Sequence, residues 1–181
     1  MKQQNIFLFF LIFLAFSCKK ENPKAIEQNL NAFFDYNEID YYHNDIDNSL
    51  EGSLEYLKNM GKTKIDTLKF RVLIGEIPES KTDTAFVNKL NEIGYKKINL
   101  SEEKQNALKK YFVNKTRKSE PKDALKPMFN DILIFRNNGK IVGFSKMSFE
   151  YLQSRVIGSK FNTDHFPTNI EHEEIRKILY E

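Results

Sequence analysis

The chain has 181 residues, with 28 Lys and Arg against 25 Asp and Glu, a single cysteine and no tryptophan. A length of this order suits one domain with a core large enough to fold alone. The nearly balanced charge argues against a nucleic-acid partner held by a large positive field, and no phosphate loop or dinucleotide fingerprint occurs.

Lys2 gives the N-terminus a positive charge, and an uninterrupted apolar run follows from Ile6 to Phe16. That run is shorter than the ~20 residues needed to cross a bilayer core as a helix. It leads into Leu14-Ala15-Phe16-Ser17-Cys18, which resembles the lipobox of bacterial lipoproteins. The match departs at Phe16, where the stricter pattern has a small residue. The resemblance implies removal of residues 1–17 and lipid on Cys18, namely a thioether-linked diacylglycerol and an acylated amine of the palmitate type. It also implies a place in the bacterial cell envelope, tethered to a membrane outside the cytoplasm, in the periplasm or at the cell surface. Membrane lipid is then the first partner. Two or three acyl chains anchor stably, at ~0.8 kcal/mol per buried CH₂. Lys19 and Lys20 would lie at the headgroups. Acylation of Cys18 leaves no thiol, which excludes a disulfide, a CxxC pair, a cysteine nucleophile and a thiolate metal site.

Residues 18–24 read as the lipidated cysteine and a polar tether, and 25–181 as an α+β globular domain. Helical spacing runs through Ile26, Leu30, Phe33 and Phe34. Ile39, Tyr41 and His43 alternate as in a strand. Asn48 or Ser49 caps an expected helix with Leu50, Leu54 and Leu57 on one face, closing at Gly61. Leu68, Phe70, Val72 and Ile74 alternate and predict a core strand. Thr82 or Asp83 caps a helix carrying Phe86, Leu90 and Ile93, and Gly94 follows it. Tyr95 to Leu100 is a short strand. Ser101 starts a helix with Glu102 and Glu103 in its first turn and Lys109 and Lys110 in its last, which suits the helix dipole. After a basic loop from Asn114 to Pro127 comes the best hairpin signal, Asp131 to Arg136, Asn137-Asn138-Gly139 and Lys140 to Ser145. A further strand is expected at Arg155 to Ser159. Thr168 with Glu171 forms a capping box ahead of a C-terminal helix with Ile175, Ile178 and Leu179 on one face.

The expected fold is a single α+β domain with a mixed sheet of four or five strands and flanking helices. From Leu68 onward the order strand, helix, strand, helix, strand, strand, helix resembles the thioredoxin-like fold, with Ile132 to Lys140 as its third strand and turn. There is no CxxC, and Asn130 and Asp131 stand where that fold has a proline, so thiol chemistry does not come with the resemblance. The hairpin and Lys146-Met-Ser-Phe149 also look like short uncharacterised bacterial lipoproteins.

The densest candidate cluster is acidic, with Asp35, Glu38, Asp40, Asp45, Asp47 and Glu51 around His43. Asp45-Ile-Asp47-Asn-Ser49 offers hard oxygens at alternate positions, as Ca²⁺ needs, yet Leu50 and Tyr56 stand where a calcium loop has its glycine and final carboxylate. A solvated face is the expectation, and no metal is assigned. His165, His172, Glu173 and Glu174 have residue types suited to zinc or acid–base work, but their spacing fits simple capping of a helix. A basic stretch runs through Lys109, Lys110, Lys115, Arg117, Lys118, Lys122 and Lys126; it is suited to phosphate-bearing lipid or an acidic protein, but a solubilising loop is the expectation. Ser101 and Lys104 are read as a helix cap and not as a nucleophile–base pair.

The expectation is a non-enzymatic binding or interaction lipoprotein, an envelope-assembly factor or an immunity-type protein. It has no cofactor and no catalytic residue. Its partner is an envelope or toxin protein, met through Asp40, Asp45 and Asp47 or through Lys115, Arg117 and Lys118. The alternative is an enzyme or small-ligand binder on a degenerate thioredoxin-like scaffold, using His43 or His165 with a carboxylate inside hydrogen-bond reach.

Overall fold

The Asn138-Gly139 step turns the chain on itself with φ of 50° and 77°, values that Asn and Gly tolerate with little steric cost. On either side lie β3 (Asp131–Asn137) and β4 (Lys140–Ser148), the central hairpin of the sheet. The computed structural model describes residues 30–47, 63–121 and 127–181. Around the hairpin are β1 (Glu38–His43), β2 (Lys96–Ile98) and β5 (Gln153–Ile157). The five strands stand in the order β2-β1-β3-β4-β5. Every neighbouring pair is antiparallel, in place of the mixed pairing expected. Among the described residues, three α-helices complete the fold: α1 (Lys64–Leu73), α2 (Glu102–Lys109) and α3 (Asn169–Tyr180). The domain is therefore α+β, and its contacts group Asn31–Glu181 into one compact unit.

Both faces of the sheet are covered, because alternate strand residues feed two separate cores. Ile39, Tyr41, Leu133, Phe135 and Met147 pack with Leu108 of α2 and with Ile175 and Leu179 of α3. Tyr42, Ile132, Ile134 and Phe144 point the other way, onto Val72 and Leu73 of α1 and onto Phe86, Leu90 and Ile93. This explains why β3 is buried at five successive residues rather than at every second one.

The strand expected over Leu68 to Ile74 is a helix. Thr63 and Asp66 close a capping box in which Thr63 Oγ1 accepts from the Asp66 amide at 3.2 Å and the Asp66 carboxylate accepts from the Thr63 amide at 3.1 Å. Ile65, Leu68 and Val72 supply a stripe at helical spacing. Val72 and Leu73, adjacent in sequence, are both fully buried, which a strand with one core face does not allow. The thioredoxin-like resemblance thereby loses its first strand. The helix expected after Thr82 is a short 3₁₀ segment, Ala85–Lys89, whose N-cap Thr84 makes no side-chain capping bond. Phe86 within it and Leu90 and Ile93 after it are buried as expected, and Gly94 ends the turn at φ of 93°.

The caps of α2 and α3 follow the sequence. Ser101 Oγ accepts from the Lys104 amide at 3.2 Å, and Thr168 forms its box with Glu171. The helix expected from Asn48 to Gly61, and the part of the Ala25 helix before residue 30, lie outside the described residues. Ala32 bridges antiparallel to Val113, with Phe33 N donating to Phe112 O at 2.9 Å and Asn114 N donating to Asn31 O at 2.7 Å.

Candidate functional site

One row of the sheet gathers the polar chemistry. Lys96 of β2, His43 of β1 and Asp131 of β3 are successive register partners, so strand pairing alone brings them side by side. His43 Nδ1 lies 2.9 Å from Asp131 Oδ1, and Nε2 lies 3.2 Å from Asp45 Oδ1. Tyr41 donates its hydroxyl to Asp131 Oδ1 at 2.7 Å. From the last turn of α3, Tyr180 reaches both Asp131 oxygens at 3.0 Å and His43 Nδ1 at 3.1 Å. Lys96 Nζ closes the row on Asp45 Oδ2 at 2.7 Å.

Burial sets the protonation states. The Asp131 side chain is 1 % exposed, so its charge must be met inside the protein. Burial pushes both phenols up, and the Asp131 charge pushes them further, so Tyr41 and Tyr180 are fixed as donors. The hydrogen bond to Asp131 raises the His43 imidazole against its partial burial, and Asp45 adds to the rise. Lys96 holds the exposed Asp45 carboxyl below its ordinary value, with His43 contributing. A histidine between two carboxylates is a proton-holding group with one ring nitrogen oriented by Asp131. The side chain facing Nε2 is the Asp45 carboxylate, where a Ser–His–Asp-type triad has a hydroxyl or thiol, so the arrangement is not that triad.

The candidate residues from the sequence fall in several places. Asp40 is buried between Lys97 and Arg136, with Arg136 Nε at 2.6 Å. Burial would raise its carboxyl, but the two cations hold it below the usual range. Arg117, 6 % exposed, grips the Glu171 carboxylate through Nε at 2.8 Å and Nη2 at 3.2 Å, and also donates to the carbonyls of Tyr111 and Val113. Lys115 adds a third cationic contact to Glu171 at 2.6 Å. Burial alone would raise Glu171, but Arg117, Lys115 and the Thr168 amide keep it low. Asp40 and Arg117 are thus satisfied internally, whereas Asp45, Asp47, Lys115 and Lys118 are exposed. Cys18 and Glu51 lie outside the described residues.

The acidic segment does not converge. Asp35 pairs with Lys160, Asp40 faces the opposite side of the sheet from His43, and Asp45 joins His43. The C-terminal histidines also separate. His172 is fully buried against the Phe149 ring, Glu173 pairs with Arg176, and His165 lines an open cleft of about 250 Å³ with Lys115, Thr116, Arg117, Asn162 and Phe166. Among the described residues, no group of three or more His, Cys, Asp or Glu is placed to hold a metal ion.

Lys146 carried no signal in the sequence. It is fully buried in β4, with Nζ donating to the carbonyls of Val72 and of Ile77, the latter at 2.9 Å, and lying 5.3 Å from the Phe129 ring centroid. Its register partner Arg155 donates to the Gly75 carbonyl. Burial pushes the Lys146 ammonium well down, and Arg155 adds to this. Together the two side chains donate to three carbonyls, Val72 in the last turn of α1 and Gly75 and Ile77 just beyond it.

No helix of the described residues is long and apolar enough to cross a membrane. No protein-family model matches the chain, and neither a curated protein nor a solved structure matches it.

Proposed function

We propose that the protein is a lipid-anchored binding module of the bacterial envelope, acting by interaction and not by catalysis, in the manner of an assembly factor or an immunity protein. The observation that carries this reading is Cys18, set directly after Leu14-Ala15-Phe16-Ser17 and ahead of the compact unit that begins at Asn31. Supporting it, the ion-paired groups Asp40, Arg117 and Glu171 hold the fold together and present no open reaction centre. The test is a crosslinked pull-down of the full-length, C-terminally tagged protein from intact cells, beside a Cys18→Ser variant. Acyl mass on the Cys18 peptide and one stoichiometric protein partner, lost in the variant, are expected. An unmodified Cys18, or no saturable partner, overturns it.

A second reading rests on His43, which meets the requirement of an acid–base or ligand site that a histidine lie in hydrogen-bond reach of a carboxylate. It predicts a small molecule whose binding perturbs the His43 ring signals. A screen in which no ligand shifts those signals removes it.

A further inference from the structure

The chain enters the compact unit alongside its most basic segment. Asn31, Ala32 and Phe33 run antiparallel to residues 112–114, held by the Phe33 N–Phe112 O and Asn114 N–Asn31 O hydrogen bonds. That partner stretch is flanked on both sides by cations, with Lys109 and Lys110 before it and Lys115, Arg117 and Lys118 after it, and no acid between Lys109 and Lys118. Arg117 is buried and neutralises Glu171, so the outward charge comes from Lys109, Lys110, Lys115 and Lys118, all exposed. Nearby acids are few and occupied. Glu120 accepts from the Asn169 amide at 2.6 Å, and Glu174 lies beside Lys110 and Tyr111. Ile170, next in sequence to the Glu171 that Lys115 contacts, is 72 % exposed. A basic strip with an exposed apolar side chain, running beside Asn31 where the compact unit begins, suits a surface bearing phosphates.

We infer that the face carrying Lys110, Lys115 and Lys118 lies on an anionic lipid bilayer when the protein is anchored through Cys18. This rests on the lipid-anchor reading. The tether brings the strip to the headgroups, and the lysines then select one orientation of the domain. Each lysine near an anionic surface contributes roughly fivefold to that preference at physiological salt, and the effect fades within a Debye length of ~8 Å.

The test uses full-length acylated protein in vesicles of phosphatidylcholine alone or with about one-third phosphatidylglycerol, carrying a nitroxide quencher on the headgroups. A fluorophore is placed through Thr116→Cys in the basic segment or Asn91→Cys beside the α1-side core, since acylated Cys18 offers no competing thiol. Quenching at position 116 should exceed that at position 91 by at least about twofold on anionic vesicles. The excess should vanish on neutral vesicles, at roughly 0.5 M salt, and in the Lys110→Glu/Lys118→Glu variant. Equal quenching at both positions in acylated protein overturns the docking face alone. So does an excess that persists on neutral lipid. Protection of position 116 only when an acidic envelope protein is added reassigns the strip to a protein partner and overturns lipid docking as well. An unmodified Cys18, read by mass spectrometry on the same sample, removes the anchor reading and this inference with it.

Discussion

His43 and Asp131 face each other as register partners across β1 and β3, and Nδ1 of the one lies 2.9 Å from Oδ1 of the other. Tyr180 joins both, so a polar contact of the sheet also fastens the last turn of the C-terminal helix.

Because the folded protein raises the His43 pKa, the histidine's contribution to stability is complete below its ordinary value near 6.5 and is lost as pH rises through the raised folded value. Urea unfolding of the wild type and His43→Gln at about pH 5 to 9 checks this. The gap between them should be widest in acid and narrow with rising pH. A constant gap would show that His43 acts only through packing.

The Arg117–Glu171 pair is almost wholly buried, so removing one partner strands the other. Arg117→Ala is expected to cost about 3–5 kcal/mol in chemical denaturation, and Arg117→Lys recovers only part of that, because a single ammonium cannot span both carboxylate oxygens and the Tyr111 and Val113 carbonyls. Glu171 has a lowered folded pKa, so its contribution is present above the ordinary carboxylate value and lost as pH falls through the folded one. Glu171→Gln should therefore flatten the acid limb of the stability profile. An unchanged limb would remove Glu171 as its source.

Lys146 fills core volume and donates to two carbonyls. Lys146→Ala is expected to lose about 2–5 kcal/mol from the cavity and the orphaned acceptors, and Lys146→Met about half as much, since Met restores the volume and not the donors. Equal losses would mean that the hydrogen bonds carry the whole effect.

At Gly143 a β-carbon would overlap the Phe34 ring, which stacks on Phe135 at 4.5 Å. Gly143→Ala should cost about 1–3 kcal/mol, and Phe34→Leu in the same chain should cost less than the two single changes added together. Strict additivity in that double-mutant cycle would place the strain elsewhere.

How much of this was legible from the sequence depends on the range of the signal. The central hairpin was, because Asn138 and Gly139 report a local backbone need. So were the caps of α2 and α3, which act over three residues. The α1 segment was misread since its apolar residues satisfy both periods: Leu68, Phe70, Val72 and Ile74 alternate, while Ile65, Leu68 and Val72 form a helical stripe. Only the Thr63–Asp66 box separates the two. His43 stood out among acids, and Asp45 two residues on is one of its partners, yet the other two are 88 and 137 residues away, and neither Asp131 nor Tyr180 differs in local pattern from any other strand-start acid or helix-end aromatic. Lys146 was invisible for the same reason, as its acceptors lie 74 and 69 residues upstream.

The short antiparallel contact at Ala32 and Val113 also has a mechanical meaning. Any pull arriving from the N-terminal side is delivered first to the Asn31–Asn114 and Phe33–Phe112 backbone bonds. The Phe33 ring, fully buried and edge-on to Phe166 at 5.1 Å, comes next in the load path. The five-stranded sheet follows that aromatic plug in the chain, so such a pull meets the plug before it reaches the His43 row.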